Sequence, residues 1–178
     1  MTAIDDPVFG RLHFENGWTR DVIIPFLGRE FKLVINNAER FPPDEEQRTF
    51  WQAFMARQEI FKTSVERALF TYYSSHLEEF KAHYEFSAEQ EAMRLPKLEN
   101  PKQIWSLLAP TRWNEASLDV GDDDESSCLS ILFAPAWDDE HGLEITFYED
   151  LIGVESSGTN WANQDHYDLE GNLVASDA

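Results

Sequence analysis

The sequence has little cysteine and no long apolar run. One cysteine, Cys128, occurs in 178 residues, so an internal disulfide is excluded. No run of about 18 apolar residues is present, which argues against a transmembrane helix. The first ten residues contain two aspartates and no apolar segment, so no signal peptide is indicated. Together these absences predict a cytoplasmic protein in a reducing compartment.

Lysine and arginine are missing from the last third of the chain. Residues 1–112 hold all 14 Lys and Arg with 17 Asp and Glu, a balance of −3. Residues 113–178 hold the other 17 acids and no Lys or Arg, a balance of −17. Nucleic acids and anionic membranes are disfavoured as ligands, because both require cations. The asymmetry favours a basic protein partner, although solubility alone is a second interpretation.

Enzyme signatures are also missing. The sequence contains no P-loop, dinucleotide fingerprint, G-x-S-x-G or H-E-x-x-H motif. His76 and His83 lie seven residues apart, two turns on a continuous helix, which is too far to chelate one ion together. Cys128 has no basic neighbour in sequence, which favours a buried structural thiol over a nucleophile. We therefore expect no catalytic residue, no cofactor and no metal.

The longest patterned segment runs from Asp44 to about Ser75 and predicts one amphipathic helix. Steps of three and four residues place one apolar or near-apolar stripe on a single face. The stripe consists of Trp51, Phe54, Gln58, Phe61, Val65, Ala68 and Tyr72. The polar positions expected to face water are Arg48, Gln52, Lys62, Glu66 and Arg67. Asp44 followed by Gln47 is a capping-box pattern, so the helix is predicted to begin there.

The order of the other patterns predicts the fold class. Residues 8–36 alternate as three antiparallel strands, with a two-residue hairpin turn at Asn16–Gly17, and Pro25 suggests an edge strand or a bulge. Residues 44–109 contain the long helix and shorter ones. Residues 111–174 return to strands, of which 128–133 is expected to be buried on both faces. This order predicts an α+β fold in one domain, residues 1–178, with a largely antiparallel sheet packed against the long central helix and shorter helices.

The acidic residues of the last third supply the candidate partner-binding site. The candidates are Asp122, Asp123, Asp124, Glu125, Asp138, Asp139, Glu140, Glu149 and Asp150. Consecutive carboxylates lack the alternate spacing of a calcium-binding loop. Solvated loops are therefore favoured over metal sites at these positions.

The segment Trp137–Gly142 permits an alternative with chemistry. Asp138, Glu140 and His141 could bind a metal or act as acid and base, which would make the protein a metal-dependent hydrolase. Neighbours in sequence rarely converge on one point, however, and no second cluster offers further ligands. A turn between two strands, with a packed tryptophan and a conformationally required glycine, is the favoured interpretation.

Several of these segments together resemble a family of uncharacterised bacterial α+β domains. The resemblance covers about residues 7–160 and depends on Val8–Leu12, on Trp18 after an Asn-Gly turn, on the helix from Gln47 through Tyr73, and on Trp137–Gly142 before a strand. Some members of that family resemble immunity proteins of polymorphic-toxin or contact-dependent-inhibition systems. The family offers no catalytic residue to carry over.

The resemblance implies an immunity protein that binds and neutralises a cognate toxin domain. We expect that toxin to be basic, for example a nuclease whose cleft attracts polyanions, with carboxylates of this chain replacing phosphates. A regulatory binding module that acts without a toxin is a third interpretation. The sequence leaves the toxin's identity and the oligomeric state open.

Overall fold

The computed structural model describes residues 2–37, 40–111, 115–120, 127–138, 140–156 and 164–174. Ten strands form one sheet. The strands are β1 (Ala3–Asp6), β2 (Gly10–Phe14), β3 (Trp18–Ile24), β4 (Arg29–Ile35), β5 (Leu108–Pro110), β6 (Glu115–Val120), β7 (Ser127–Pro135), β8 (Leu143–Tyr148), β9 (Leu151–Ser156) and β10 (Asp165–Tyr167). The helices are α1 (Glu45–Ala56), α2 (Gln58–His83) and α3 (Ala88–Arg94), with 3-10 helices at Pro25–Leu27 and Pro101–Leu107. None of the helices within these ranges is long and apolar enough to cross a membrane.

The sheet runs in the order β1-β2-β3-β4-β6-β7-β8-β9-β10. Strand β5 pairs with the C-terminal end of β7. β4 and β6 pair in parallel, with Leu33 opposite Ala116, and the other pairings are antiparallel. That parallel pair joins the strands before the helices to the strands after them. The predicted α+β fold with a largely antiparallel sheet is confirmed.

The long helical segment begins as predicted but is divided into two helices. The Asp44 carboxylate accepts a hydrogen bond from the Gln47 N–H at 2.8 Å, completing the capping box. The division falls at Arg57, so the segment is two helices and not one continuous helix, and the predicted long helix is present as α2, with 26 residues. There the Phe54 carbonyl accepts both the Arg57 N–H at 3.2 Å and the Gln58 side-chain amide at 2.9 Å. These bonds replace the regular helical pattern at that carbonyl.

The core lies between the helices and one face of the sheet. The rings of Phe54 and Phe61 pack on Phe147 of β8, with centroids 5.1 and 5.2 Å away. Glu66, expected to face water, is buried, and its carboxylate accepts the Trp105 indole N–H at 3.0 Å. The predicted stripe is therefore correct, whereas the prediction for Glu66 is wrong because the 3-10 helix carrying Trp105 covers it.

The helices that the structure describes leave the other face of the sheet uncovered. Along β7 buried residues alternate with half-buried ones, and Ser130 and Leu132 lie on the uncovered side. The expectation that this strand is buried on both faces is therefore wrong. Pro25 is also placed differently from the prediction, because β3 ends at Ile24 and the proline begins a 3-10 turn beside an interior strand. The predicted hairpin at Asn16–Gly17 forms, with three residues between β2 and β3.

Candidate functional site

The uncovered face of the sheet carries carboxylates on β6 and β8. Along β6 the residues Glu115, Ser117 and Asp119 alternate with the fully buried Ala116 and Leu118. This alternation places the three polar side chains on one side of the sheet. A depression of about 240 Å³ lies there. We call the surface around this depression the acidic sheet face. The residues that line it are Thr111, Glu115, Ser117, Asp119, Ser130, Leu132 and Glu144.

Asp119 is an acid of the acidic sheet face with a raised pKa. Burial raises the pKa of Asp119, and the negative charge of Glu144 raises it further. A hydrogen bond from the Asn36 amide to the Asp119 carboxylate, 2.7 Å long, opposes this shift without cancelling it. Glu115 lies 3.8 Å from the Lys32 ammonium, which lies closer to Glu15, at 2.6 Å. A cation arriving at this face would relieve repulsion between carboxylates.

Asp138, a predicted partner contact, instead stabilises its own turn. Its buried carboxylate accepts the N–H groups of Glu140 and His141, each at 2.9 Å, and lies 3.2 Å from the His141 ring. Burial raises the pKa of Asp138, but these hydrogen bonds and one from Tyr84 outweigh that effect and lower the pKa below its usual value. The carboxylate is thus held ionised within the protein.

The rest of the Trp137–Gly142 segment has the structure of a packed turn. Trp137 is 3% exposed, and its ring lies 5.4 Å from that of Phe80 on α2. Gly142 has φ +85°, and a Cβ there would approach the Phe133 carbonyl to 2.9 Å, so glycine is required. Within the described ranges no three His, Cys, Asp or Glu side chains are placed to hold a metal. Asp138, Glu140 and His141 therefore gain no further ligand from this part of the chain.

The other predicted contacts divide into two groups. Asp122–Glu125 and Asp139 lie outside the described residues. Glu140, Glu149 and Asp150 are exposed, and Asp150 forms an ion pair of 2.6 Å with Arg57. Glu140, Glu149 and Asp150 therefore lie at the surface, whereas Asp138 is buried.

Sequence reasoning missed the acidic sheet face. It selected runs of adjacent acids in loops, whereas Glu115, Asp119 and Glu144 come from two strands. The alternation from Glu115 to Asp119 was a usable signal, because a period of two places these acids on one face. The pairing of β6 and β8 with β7, which brings Glu144 to the same face, had no local signal.

The fold and this face define an α+β domain whose sheet packs against helices on one side and carries the acidic sheet face over β6–β8 on the other. The family model described as a domain of unknown function, DUF6985, matches residues 8–159, and the chain belongs to this family. No curated protein and no solved structure matches the chain.

Proposed function

We propose that this protein binds and neutralises a basic protein, as an immunity protein does with its cognate toxin domain. The observation that carries the proposal is the uncompensated charge of the last third, 17 acids without one Lys or Arg. Two acids of this third form ion pairs with a Lys or Arg, Glu115 with Lys32 and Asp150 with Arg57. Both cations come from the first two thirds of the chain.

The inhibitory step would be occlusion of a cleft that normally binds polyanions. Carboxylates of the acidic sheet face, with Glu140 and Glu149 in the turns at the two ends of β8, would lie opposite the toxin's Lys and Arg side chains in place of phosphates. Their summed field would also accelerate encounter. The resemblance of Val8–Leu12 and Trp137–Gly142 to domains that include immunity-like members supports the same role.

Co-purification from the native operon, followed by rate measurements against the protein encoded beside this gene, tests the proposal. Changing Asp122–Glu125 together to Asn and Gln, and Glu115 with Glu144 to Gln, should slow association severalfold at low salt and less at high salt. The matched control changes Glu59 and Glu89, exposed acids of the first two thirds, and should leave the rates unchanged.

Two results would contradict the proposal. If the association rate changes neither with salt nor with the substitutions in the last third, these acids contribute only to solubility. A co-purified partner without toxicity would favour the regulatory binding module instead. We do not propose the metal-dependent hydrolase, because Asp138 is committed to its turn.

A further inference from the structure

A second pocket lies against the C-terminal half of α2. It has a volume of about 420 Å³, within the range of about 300–1,000 Å³ typical of ligand sites. We call it the α2 pocket. Its floor lies between α2, the turn that holds Asp138 and His141, and the end of β9 at Glu155 and Ser156. The fold alone brings these three segments together.

One wall of the α2 pocket is aromatic and fixed in position. The rings of Tyr72 and His76 are 4.6 Å apart, and those of His76 and Phe80 are stacked at 5.9 Å. Phe80 stacks in turn on the buried ring of Trp137. Aromatic faces carry partial negative charge and attract cations within about 6 Å of the ring centroid. This wall is therefore suited to a flat organic cation.

Carboxylates supply the other half of the lining. Glu79, Asp138 and Glu155 all reach the pocket, and the Tyr72 hydroxyl donates a hydrogen bond of 3.1 Å to Glu155. Burial and the nearby Glu155 charge raise the pKa of Tyr72, so the hydroxyl remains a donor that holds Glu155 in place. No Lys or Arg is among the described residues that line the pocket, and residues 113–178 contain none in their sequence.

We propose that the α2 pocket receives an arginine side chain of the basic partner. The planar guanidinium would stack on the Tyr72–His76–Phe80 wall while its N–H groups pair with the carboxylates of Glu79 and Glu155. An anion is disfavoured by the three acids, and a neutral ligand would leave them without a counter-charge. This inference depends on the proposed function, because it names the group that the partner would insert.

A small probe tests the pocket without the partner. Nα-acetyl-arginine amide is titrated into the intact protein at pH 8, where histidine side chains are ordinarily neutral, and followed by NMR. We expect saturable shifts at Tyr72, Phe80 and Ser156. Nα-acetyl-citrulline amide, which has the same shape without the charge, should cause none at the same concentration.

Matched substitutions locate the site. Glu155→Gln should weaken binding of the arginine probe about tenfold, while its amide oxygen still accepts the Tyr72 hydrogen bond. Glu79→Gln, on the exposed surface of α2, should weaken binding without affecting the fold. The control is Glu78→Gln, which removes a carboxylate paired with Lys81 at 2.9 Å outside the pocket, and should leave probe binding unchanged.

Three results would overturn the inference. The two probes could bind equally, the arginine probe could fail to bind, or its affinity could be unchanged in both Glu155→Gln and Glu79→Gln. The proposed function fails separately. If partner association responds to salt and to the Asp122–Glu125 substitutions but not to Glu155→Gln, only the arginine pocket is wrong. If the arginine probe binds as expected but no basic partner is found, the pocket stands and the immunity role is wrong.

Discussion

The first 112 residues and the last 66 contain equal numbers of acids, 17 each, but differ in their cations. All 14 Lys and Arg belong to the first region. In the first region several acids have cationic partners from the same region, such as Asp6 with Arg48 at 2.9 Å and Glu78 with Lys81 at 2.9 Å. The second region has no Lys or Arg of its own, and its acids Glu115 and Asp150 pair with Lys32 and Arg57 of the first region. The second region therefore keeps negative charge that the fold does not neutralise.

This difference separates what holds the molecule together from what it offers to a partner. Compensated acids, such as Asp6, connect elements of the fold. Uncompensated acids repel one another and lower the stability of the compact state, although they raise the rate at which a basic partner arrives. The following predictions examine whether the two regions differ in this way.

The largest expected effect is at the apolar contact that joins the regions. Phe61 of α2 is 2% exposed and packs on Phe54 and on Phe147 from the second region. Phe61→Ala should lower the free energy of unfolding by about 3–5 kcal/mol, because it removes a buried ring and leaves a cavity. Urea melts measure this loss. A cost well under 1 kcal/mol would mean that the two regions do not share one core.

A smaller loss is expected at the compensated acid Asp6. Its side chain, 1% exposed, accepts the Val8 and Phe9 N–H groups and pairs with Arg48. Asp6→Asn should cost about 2–3 kcal/mol, because the charged hydrogen bonds are lost. Asp5→Asn is the matched control and should have little effect, because Asp5 is exposed in its pair with Arg11.

The pH dependence at Asp6 follows from the sign of its pKa shift. Burial raises the pKa of Asp6, but the hydrogen bonds from Arg48, Phe9 and Val8 outweigh it, so the folded-state pKa lies below the ordinary value. The stabilisation is therefore present above about pH 4, the ordinary pKa of an aspartate, and is lost as the pH falls through the lower folded-state pKa. The difference between wild type and Asp6→Asn should shrink over that acid range, and a constant difference would contradict the ion pair.

Local patterns predicted most of the helices and strands. The capping box at Asp44 and the stripe from Trp51 to Tyr72 are confirmed, because each depends on neighbours three or four residues apart. The division at Arg57 was missed because the cause is a side-chain amide bound to one carbonyl. Strand β1 and the short β5 lacked a pattern long enough to read.

Long-range pairing set the limit for the candidate site. The parallel pair of β4 and β6 decides which face of β6 the helices cover, and no local pattern reports it. Acidity in the last third could be read directly from the sequence. The fold was needed to show that Asp138 is buried in a turn whereas Asp119 lies on the uncovered face of the sheet.

The smallest expected effect is at Asp119, where the sign should be opposite to that at Asp6. Burial and the charge of Glu144 raise the pKa of Asp119 above its ordinary value. An acid with a raised folded-state pKa ionises more easily in the unfolded chain, so stability falls as the pH rises from about 4 through the folded-state pKa. Asp119→Asn removes this cost while its amide oxygen still accepts the Asn36 hydrogen bond. It should therefore stabilise the protein at neutral pH, by less than about 1 kcal/mol.

The test compares urea melts of wild type and Asp119→Asn between pH 4 and pH 8. The gain should be near zero at the acid end and reach its full value by neutral pH, because only the ionised carboxylate is repelled. Glu144→Gln should give a gain of the same sign, since it removes the repelling charge. A loss at every pH would mean that the Asp119 carboxylate stabilises the fold as Asp6 does. The acids of the acidic sheet face would then stabilise the fold, and the proposed difference between the two regions would be wrong.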